Sequence, residues 1–481
     1  MSERPQSVGV LILAAGKGIR MRSDKPKVLQ PLLEEPVIYY LLKAASEAGM
    51  RNTAVLAGYR GELVEEYVKR DWPETEVIWQ KEQLGTGHAV KSAQAWWKRY
   101  DNLLVLSGDV PLVRHETLLS LWDEHIASSS ACALMSFVAD DPAGYGRLAR
   151  LADGGVRIVE QSDATEEELL IQEINAGVYL FNTAALSGVI DKLTDDNELG
   201  EYYLTDTVQL IDDTEGDIRV VSCGDPGELV GVNTPNDLAM ASGVLRKRIL
   251  NFHMENGLKC MDPSTTWIGP RARVAPDVIF EPGVQLWGNS VIGNGCRIGA
   301  WSTLRDVSMG EGARVYGPSV ISDSAIGANA EAGPFAFLRM GVKMEPGSRV
   351  GRFVEVKNST LGEGVNAMHL SYLGDASVGR NTNIGAGTVT CNYDGTRKNA
   401  TVIGDGCFVG SDTMFVAPVK MGNNAATAAG SVITKDIPDG SLGMARERQI
   451  NIDGWNERKG IVSGGVEKAG DCQAWNQLQK I

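Results

Sequence analysis

The chain lacks several features that would place it in common classes of protein. No apolar run approaches the roughly 18 residues that a membrane-spanning helix needs, and the first six residues are polar, so we expect neither a membrane span nor a signal peptide. The seven cysteines are odd in number, scattered and free of a C-x-x-C pair, which favours reduced thiols in a cytoplasmic protein. Positive charge is also scarce, because 46 Lys and Arg stand against 61 Asp and Glu. The net charge of -15 disfavours nucleic-acid binding.

Two common nucleotide-binding motifs are absent as well. An apolar strand, Val10 to Leu13, runs directly into Ala14-Ala15-Gly16. Met21 stands where a dinucleotide-binding loop needs its third glycine, and no G-x-x-x-x-G-K-S/T segment occurs, which disfavours a dehydrogenase and a P-loop NTPase. The loop still offers backbone N–H groups to phosphate oxygens, and Arg20 and Lys27 bring positive charge. The sequence therefore predicts a phosphate-handling site near the N-terminus.

The N-terminal half alternates short apolar runs with helical patterns as far as Asn233. The predicted strands are Val8 to Leu13, Thr53 to Leu56, Leu103 to Leu106 and Ala133 to Phe137, and Val37 to Ala48 is among the helices. This alternation predicts an α/β, Rossmann-like domain with a mostly parallel sheet over residues 1–233. Because ligands bind at the carboxyl ends of such strands, the glycine loop and Gly108-Asp109 are expected to line one cleft.

A helix is predicted next and would join two domains. Thr234 suits its N-cap, Pro235 its first position, and Asn256-Gly257 its end. We assign residues 234–262 to this linker.

The C-terminal half has a repeat of six residues. Apolar residues recur in this register, often followed by glycine, at Ile268, Val274, Phe280, Leu286, Ile292, Ile298, Leu304, Ile326, Ala332, Leu338, Met344, Val350, Val378, Ile384, Ile403, Val409, Phe415, Met421 and Thr427. A helix cannot keep one face at that period, whereas a parallel β-helix turns one aliphatic side chain inward per short strand. We therefore predict a β-solenoid over residues 263–446 and a polar tail over residues 447–481.

One insertion breaks the register. Ile403 comes nineteen positions after Ile384, one more than three repeats, and the intervening residues contain the polar segment Cys391 to Lys398. An insertion of this kind predicts a loop that stands off the coils.

The first group of candidate residues fits nucleotidyl transfer, in which a sugar phosphate attacks a nucleoside triphosphate and pyrophosphate leaves. The developing phosphoryl charge needs Arg20, Lys27 and Mg²⁺ held by a carboxylate such as Asp109. The amides of Gln80 and Gln83 can read a base edge. Each residue alone fits a tight turn or a helix cap, but their grouping at strand ends favours the phosphate site.

These segments together carry a family resemblance. The motifs are Leu13 to Met21, Pro26 to Leu29, Leu84 to Ala89, Gly108 to Leu112 and Gly144 to Arg147. With the six-residue repeat, residues 8–446 resemble the bacterial bifunctional N-acetylglucosamine-1-phosphate uridyltransferases and glucosamine-1-phosphate acetyltransferases. The resemblance implies that the solenoid is a left-handed parallel β-helix, and that the product is UDP-N-acetylglucosamine, a cell-wall precursor.

The resemblance implies residues for the first site. Arg20 and Lys27 would be catalytic, and Asp109 and Asn233 would bind Mg²⁺. The nucleotide and the acetylated sugar would be bound by Leu13, Ala14, Ala15, Gly16, Lys27, Gln80, Gly85, Thr86, Asp109, Gly146, Glu160, Asn175 and Asn233. The chain departs from the family at Ser107, where Tyr is usual, and at Thr234, where Asn is usual.

A second group of candidate residues lies in the solenoid and fits acetyl transfer to an amine. That reaction needs a base, and His369 is the only histidine of the solenoid. A free imidazole has a pKa of about 6.5, which suits a base near neutrality. A lone histidine is often a buried or capping residue. Here the segment Asn366 to Asp375 resembles the catalytic segment of the family, which favours the base.

The same resemblance implies the binding residues of the second site. Glucosamine-1-phosphate would be bound by Arg339, Lys357, Tyr372, Asn383 and Lys398, and acetyl-CoA by Ala386, Asn392, Tyr393, Ser411, Ala429 and Arg446. The family implies a homotrimer with these sites between solenoids. The chain departs from the family at Phe337, where Arg is frequent, at Met340 and at Met368.

The sequence as a whole predicts a cytoplasmic enzyme with two activities. The C-terminal domain would acetylate glucosamine-1-phosphate with acetyl-CoA, and the N-terminal domain would couple the product to UTP. One alternative is a nucleotidyltransferase whose solenoid is structural or regulatory. Another is a non-enzymatic regulatory subunit of similar build, which the intact phosphate-site residues disfavour.

Overall fold

A computed structural model describes residues 8–151, 154–214 and 216–458 of the chain. Residues 1–7 and most of the predicted tail, from 459 onward, lie outside the described residues. Within residues 447–458 the chain forms one short helix, Trp455–Arg458. The cysteines of the described part, six in number, are all free thiols. No helix in that part combines the length and apolar character needed to cross a bilayer.

The N-terminal half is built on one mostly parallel sheet, as predicted. Its nine strands are β1 Val8–Ala14, β2 Asn52–Ala57, β3 Glu76–Trp79, β4 Asn102–Ser107, β5 Cys132–Val138, β6 Arg147–Arg150, β7 Val156–Val159, β8 Glu173–Asn182 and β9 Ile218–Ser222. The order is β9-β5-β8-β4-β1-β2-β3, with β6 paired to β8 and β7 to β6. Strand β8 runs antiparallel to both of its main neighbours. All four predicted strands are confirmed, each lengthened by one or two residues.

Helices cover both faces of this sheet. They are α1 Val37–Glu47, α2 Gly61–Asp71, α3 Thr86–Ser92, α4 Gln94–Trp97, α5 His115–Ser128, α6 Thr183–Val189 and α7 Asp206–Asp212. Side chains of a strand alternate between faces, so Val10 and Ile12 of β1 enter one apolar core and Leu11 enters the other. The two cores hold β1 at the centre, with its carboxyl end free to form a site.

The predicted linker helix is confirmed as α8, Pro235–Glu255. Thr234 caps it through a reciprocal pair of bonds, because its hydroxyl accepts from the Asp237 amide and the Asp237 carboxylate accepts from the Thr234 amide. Asn256 and Gly257, with φ of 100° at the glycine, end it. The departure from the family at Thr234 therefore gives a well-capped helix.

The C-terminal half is a parallel β-helix whose short strands run from Lys259–Cys260 to Leu442–Gly443. The strands that carry candidate residues are Phe337–Arg339, Glu355–Lys357, Asn366–His369, Tyr372–Gly374, Asn383–Ile384, Val389–Cys391 and Phe408–Val409. Every residue of the predicted six-residue register is buried except Val274, which is half-buried. The predicted insertion forms a loop over residues 392–400, closed by a bridge between Tyr393 and Lys398.

Candidate active sites

The phosphate loop follows β1 and owes its shape to two glycines. Gly18, with φ of 58°, opens a 3₁₀ turn over Ile19–Met21. Met21 is buried and anchors this turn, which explains why no third glycine is needed there. A Cβ on Gly108 would lie 2.3 Å from the Leu13 carbonyl oxygen, so only glycine lets the end of β4 approach the end of β1. Asp109 is thereby placed beside the loop.

Four of the predicted residues meet at this strand end. The Lys27 ammonium donates to Asp109 Oδ2 at 2.7 Å and to Asn233 Oδ1 at 3.0 Å. Arg20 donates to the same Asn233 oxygen at 2.9 Å. The Val232 amide donates to the Asp109 carbonyl at 2.7 Å, which holds the two oxygen-bearing segments together. A carboxylate oxygen and an amide oxygen thus converge on one cation.

The predicted nucleotide residues lie at or directly after the end of β1, after β3 and at the start of α3. Ala14 and Ala15 are buried, and a Cβ at Gly16 would meet nothing within 4 Å, so open space lies above the loop. Gln80 is buried and directly follows β3. Its side-chain amide donates to the Gly85 carbonyl at 3.3 Å. Thr86 accepts from the Leu204 amide at 3.0 Å and fixes the start of α3.

The three predicted sugar residues lie side by side. The backbone N–H of Asn175 donates to the Gly146 carbonyl at 2.9 Å. A Cβ on Gly146 would lie 3.4 Å from Glu160 Oε2, so the glycine leaves that carboxylate room. Burial raises the pKa of Glu160, and Thr205 partly offsets this by donating to it at 3.1 Å. Gly146, Glu160 and Asn175 thus lie close together at β8.

In the solenoid, predicted cations stack on successive coils. Arg339 pairs in register with Lys357, and Lys357 is buried. The loop places Lys398 next to Lys357, and this neighbouring ammonium lowers the pKa of Lys398. In the next coil, Gly374 pairs in register with Lys357, and Tyr372 lies two residues before Gly374 in the same strand. Lysines held this close together form a site for an anion.

Sequence reasoning assigned no role to the residues that organise this cluster. Asp375 accepts from Asn358 Nδ2 at 2.6 Å and from the amide of Asn392. Burial would raise the pKa of Asp375, but the two amide donors and the charges of the adjacent lysines outweigh it and lower the pKa. Asn392, predicted at the acetyl-CoA site, is buried here beside Tyr372. Asp375 closed the segment that resembled the family, which was the only signal available.

The family departures Phe337 and Met340 both contact Arg339. The guanidinium lies 5.3 Å from the centre of the Phe337 ring, and one nitrogen lies 3.3 Å from the Met340 sulfur. Two other nitrogens donate to Glu355 Oε1 at 3.0 and 2.7 Å. The charge that the family frequently has at Phe337 is thus replaced by a ring that stacks on the neighbouring arginine.

His369 is exposed at a corner of the solenoid and begins a line of predicted acetyl-CoA residues. Ser371 donates to the His369 carbonyl at 2.8 Å and to the Gly385 carbonyl, one coil on, at 3.3 Å. Backbone bonds between successive coils then set Ala386, Ser411 and Ala429 in one column, and Arg446 donates to the Ala429 carbonyl at 3.1 Å. We call these residues, with His369, the corner column.

Two predicted residues stand apart from these groups. Asn383 is exposed on the face that carries Asn366, one coil below it. Tyr393 is exposed on the loop, and its hydroxyl donates to the Gly395 carbonyl at 2.7 Å.

Comparisons with known proteins agree with both halves. Residues 10–177 match the model of the MobA-like NTP transferase domain, and residues 400–435 match that of the bacterial transferase hexapeptide (six repeats). The chain is 43% identical over 450 residues to the bifunctional protein GlmU of Caldanaerobacter subterraneus subsp. tengcongensis, covering 93% of this chain and 97% of that one. It is 40% identical to the bifunctional protein GlmU of Clostridioides difficile over the same shares.

A crystal structure of HddC from Yersinia pseudotuberculosis aligns with 49% of this chain and 99% of its own, at 20% identity and a TM-score of 0.38. The curated relatives, in contrast, extend over both halves at 40% identity or more. The chain therefore belongs to the family of bifunctional GlmU proteins.

Proposed function

We propose that the chain makes UDP-N-acetylglucosamine in two steps at two separate sites. The solenoid acetylates glucosamine-1-phosphate with acetyl-CoA, and the N-terminal domain couples the product to UTP and releases pyrophosphate. The observation that carries this proposal is that two polar clusters, one around Lys27 and one around Lys357, occupy different halves of one chain.

In the first site, Lys27 and Arg20 neutralise the phosphoryl oxygens of UTP. Their positive groups lie within 3.0 Å of the Asn233 side-chain oxygen, so they are already held together before substrate binds. Preorganised cations at the place where charge develops stabilise the transition state without further rearrangement. The sugar phosphate oxygen attacks the α-phosphorus, and the bond to the pyrophosphate oxygen breaks.

Asp109 and Asn233 fit the binding of Mg²⁺. Both present oxygen ligands, and both already converge on one cation, the Lys27 ammonium. Across the described part of the chain no three His, Cys, Asp or Glu side chains form a metal-binding group, so most of the ligands would be phosphate oxygens and water. Bound Mg²⁺ would neutralise phosphate charge and favour the departure of pyrophosphate.

Recognition of the acetylated sugar falls to Gly146, Glu160 and Asn175. The buried carboxylate of Glu160 can accept from a sugar hydroxyl, and Gly146 leaves space for the ring beside it. The nucleotide would lie over Leu13 to Gly16, with Gln80, Gly85 and Thr86 around it. These assignments place sugar and triphosphate on opposite sides of Asp109.

In the second site, His369 acts as the base. The amine of the sugar attacks the thioester carbonyl carbon, the C–S bond breaks, and the amine proton passes to His369 while the CoA thiolate leaves. Arg339, Lys357 and Lys398 hold the sugar phosphate. We assign contacts with the sugar to Tyr372 and Asn383. Contacts with acetyl-CoA are assigned to Ala386, Asn392, Tyr393, Ser411, Ala429 and Arg446.

The corner column suits the extended arm of acetyl-CoA. Successive coils are stacked about 4.8 Å apart, so its four steps cover about 19 Å. Small residues at Ala386, Ser411 and Ala429 leave a shallow track along the corner. Arg446 at the far end can pair with a phosphate of CoA.

We propose a homotrimer formed through the solenoids, with the acetyl-transfer sites between them. Four apolar side chains project from the same corner on the coils that lead to His369: Trp301, Phe335, Phe353 and Leu370, exposed by 64%, 51%, 58% and 64%. The rings of Phe335 and Phe353 stack at 5.1 Å. Exposed apolar rows of this length mark interaction surfaces. Phe353→Asp should lower the mass measured by sedimentation to that of a monomer and reduce acetyl transfer, while uridyl transfer persists.

We place the uridyltransferase in residues 1–233, the linker in 234–262, the acetyltransferase in 263–446 and the tail in 447–481. The free thiols favour a reducing compartment, which supports a cytoplasmic location.

The decisive experiment uses the purified chain with Mg²⁺ in two assays. Glucosamine-1-phosphate with acetyl-CoA is followed by free thiol, and N-acetylglucosamine-1-phosphate with UTP is followed by pyrophosphate. Both products are expected. Pyrophosphate without thiol would mean a structural solenoid, and the absence of both would favour a regulatory protein.

A further inference from the structure

The segment that follows Lys27 continues onto the solenoid. Lys27 lies in a 3₁₀ turn, Lys27–Leu29, and the chain then forms a hairpin in which Pro31–Leu32 pairs with Glu35–Pro36. The two turn residues, Leu33 and Glu34, both have left-handed φ, at 46° and 78°. Residues other than glycine keep this conformation only where the surrounding structure requires it. The contacts of the hairpin therefore need an explanation.

Those contacts come from the first coils of the solenoid. Glu34 accepts from the Gly288 amide at 2.9 Å and forms an ion pair with Arg305. Arg271 donates from Nη2 to Glu35 Oε2 at 2.8 Å, and its Nε lies 2.6 Å from Glu35 Oε1 in the same ion pair. A two-pronged contact of this kind fixes orientation as well as distance. The tip of the hairpin is held on both sides by groups more than 230 residues away in sequence.

Space for the hairpin is also provided by a residue of the solenoid. A Cβ on Gly269 would lie 3.0 Å from Glu34 Oε2, so a larger side chain there would push the carboxylate away. Arg271 also stacks over the Tyr39 ring, at 5.3 Å from its centre, and so contacts α1 directly after the hairpin. The solenoid surface is thus shaped to receive this part of the N-terminal domain.

An apolar cluster joins the hairpin to the other two members of the catalytic group. It contains Leu32 of the hairpin, Leu112 three residues after Asp109, and Val232 immediately before Asn233, with Trp267 of the solenoid packed against it. The three segments that carry Lys27, Asp109 and Asn233 therefore rest on one core that the solenoid completes.

We propose that Arg271 and Arg305 are positioning residues for uridyl transfer: by gripping Glu35 and Glu34, the first coils of the solenoid hold the segment that places Lys27 between Asp109 and Asn233. This inference rests on the proposed role of Lys27 in uridyl transfer. It makes the first coils a part of the N-terminal active site, in addition to their place in the β-helix.

The test measures both activities of the full chain in Arg271→Ala, Arg305→Ala and Glu35→Gln. Because small misplacements of a catalytic group are costly, we expect kcat for uridyl transfer to fall roughly 10- to 100-fold. The KM for N-acetylglucosamine-1-phosphate and the rate of acetyl transfer should stay within about twofold, since the hairpin contacts described above involve neither the proposed sugar residues nor the coils that carry Lys357 and His369. Combining Arg271→Ala with Glu35→Gln should cost no more than the first change alone.

Matched controls separate this role from general stability. Arg297→Ala removes a similar pair, to Glu281 at 2.7 Å, that lies within the solenoid and does not reach the hairpin, so both activities should be retained. Arg271→Lys keeps the charge but not the two-pronged contact and should restore part of kcat. Lys27→Ala should abolish uridyl transfer.

Each outcome decides between the ideas. Wild-type kcat for uridyl transfer in all three variants would overturn the proposal, provided that Lys27→Ala is inactive. Equal loss of both activities with a lowered melting temperature would overturn it as well, because that result means a structural role alone. If Lys27→Ala retains uridyl transfer, the assignment of Lys27 itself is wrong, whatever the arginine variants do.

Discussion

The Lys27 ammonium lies 2.7 Å from the Asp109 carboxylate and thereby connects the phosphate loop with the end of the central strand β4. Since the same carboxylate is the proposed ligand of Mg²⁺, Asp109→Asn should lower uridyl transfer at least 100-fold and raise the Mg²⁺ concentration needed for half-maximal rate. Acetyl transfer should be unchanged. Initial rates of pyrophosphate release over a Mg²⁺ titration would measure this effect.

Asp123→Asn, on the exposed face of α5, is the control for Asp109→Asn and should behave as wild type. An unchanged Mg²⁺ dependence in Asp109→Asn would remove this residue from the metal site.

His369→Ala should lower acetyl transfer roughly 10²- to 10⁴-fold, the loss typical of a general base, with uridyl transfer intact. Thiol release at saturating substrates would measure it. His115→Ala removes a half-buried histidine at the start of α5, outside both proposed sites, and serves as the control. Equal loss of both activities in His369→Ala would instead indicate a structural role.

The lysine pair of the second site predicts a pH effect. Lys357 lowers the pKa of Lys398, and the negative charge of Asp375 partly offsets this by raising it. Lys398 therefore loses its charge at a lower pH than an ordinary lysine, and the KM for glucosamine-1-phosphate should rise as the pH increases. In Asp375→Asn this rise should begin at a lower pH, because the supporting charge is gone while an oxygen acceptor for Asn392 remains.

The measurement is KM for glucosamine-1-phosphate between pH 7 and pH 10 at constant ionic strength. Asp323→Asn is a matched control, since Asp323 and Asp375 are both aspartates of the solenoid with a left-handed φ, at 46° and 50°. Identical KM profiles for wild type and Asp375→Asn would contradict the proposed influence of Asp375.

Buried histidine predicts loss of stability in mild acid. Burial lowers the pKa of His125 to about 4, and its ring nitrogens bond Asn102 at 2.9 Å and Ser130 at 2.8 Å. The unfolded chain binds the proton more readily, so stability declines as the pH falls from about 6.5 toward 4, by about 2 kcal/mol between pH 7 and pH 5. Burial also lowers the pKa of His253, which adds to the same trend.

Calorimetry between pH 7 and pH 5 should show a smaller shift of the melting temperature in His125→Gln than in wild type. The control variant His115→Gln, at a half-buried histidine, should retain the wild-type shift. An equal shift in all three proteins would mean that His125 does not contribute to acid sensitivity.

Much of the fold follows from local patterns. The six-residue register locates the inward side chains of the solenoid because each short strand repeats the same geometry, and even Thr427 is buried as this register predicts. The N-cap at Thr234 was readable from the sequence because a cap depends on neighbouring residues. The antiparallel course of β8 was not, since strand direction depends on partners far away in the chain.

The sites were only partly predictable for the same reason. The family resemblance implies roles for Lys27 and Lys357, but it implies none for Asp375 or Glu35. Asp375 acts on residues in neighbouring coils, and Glu35 on an arginine 236 positions away. Contacts of that kind depend on how coils and domains are stacked.

The corner column makes each coil of the solenoid a unit of length. From His369 to Arg446 the chain advances by whole coils. The distance between the two ends of the corner column is therefore a whole number of coil spacings. The loop at residues 392–400 joins two strands of one coil, Val389–Cys391 and Thr401–Ile403, and so adds no step. Under the proposed binding of acetyl-CoA along the corner column, the length of arm that fits is set by the backbone, and substitution of single side chains leaves that length unchanged.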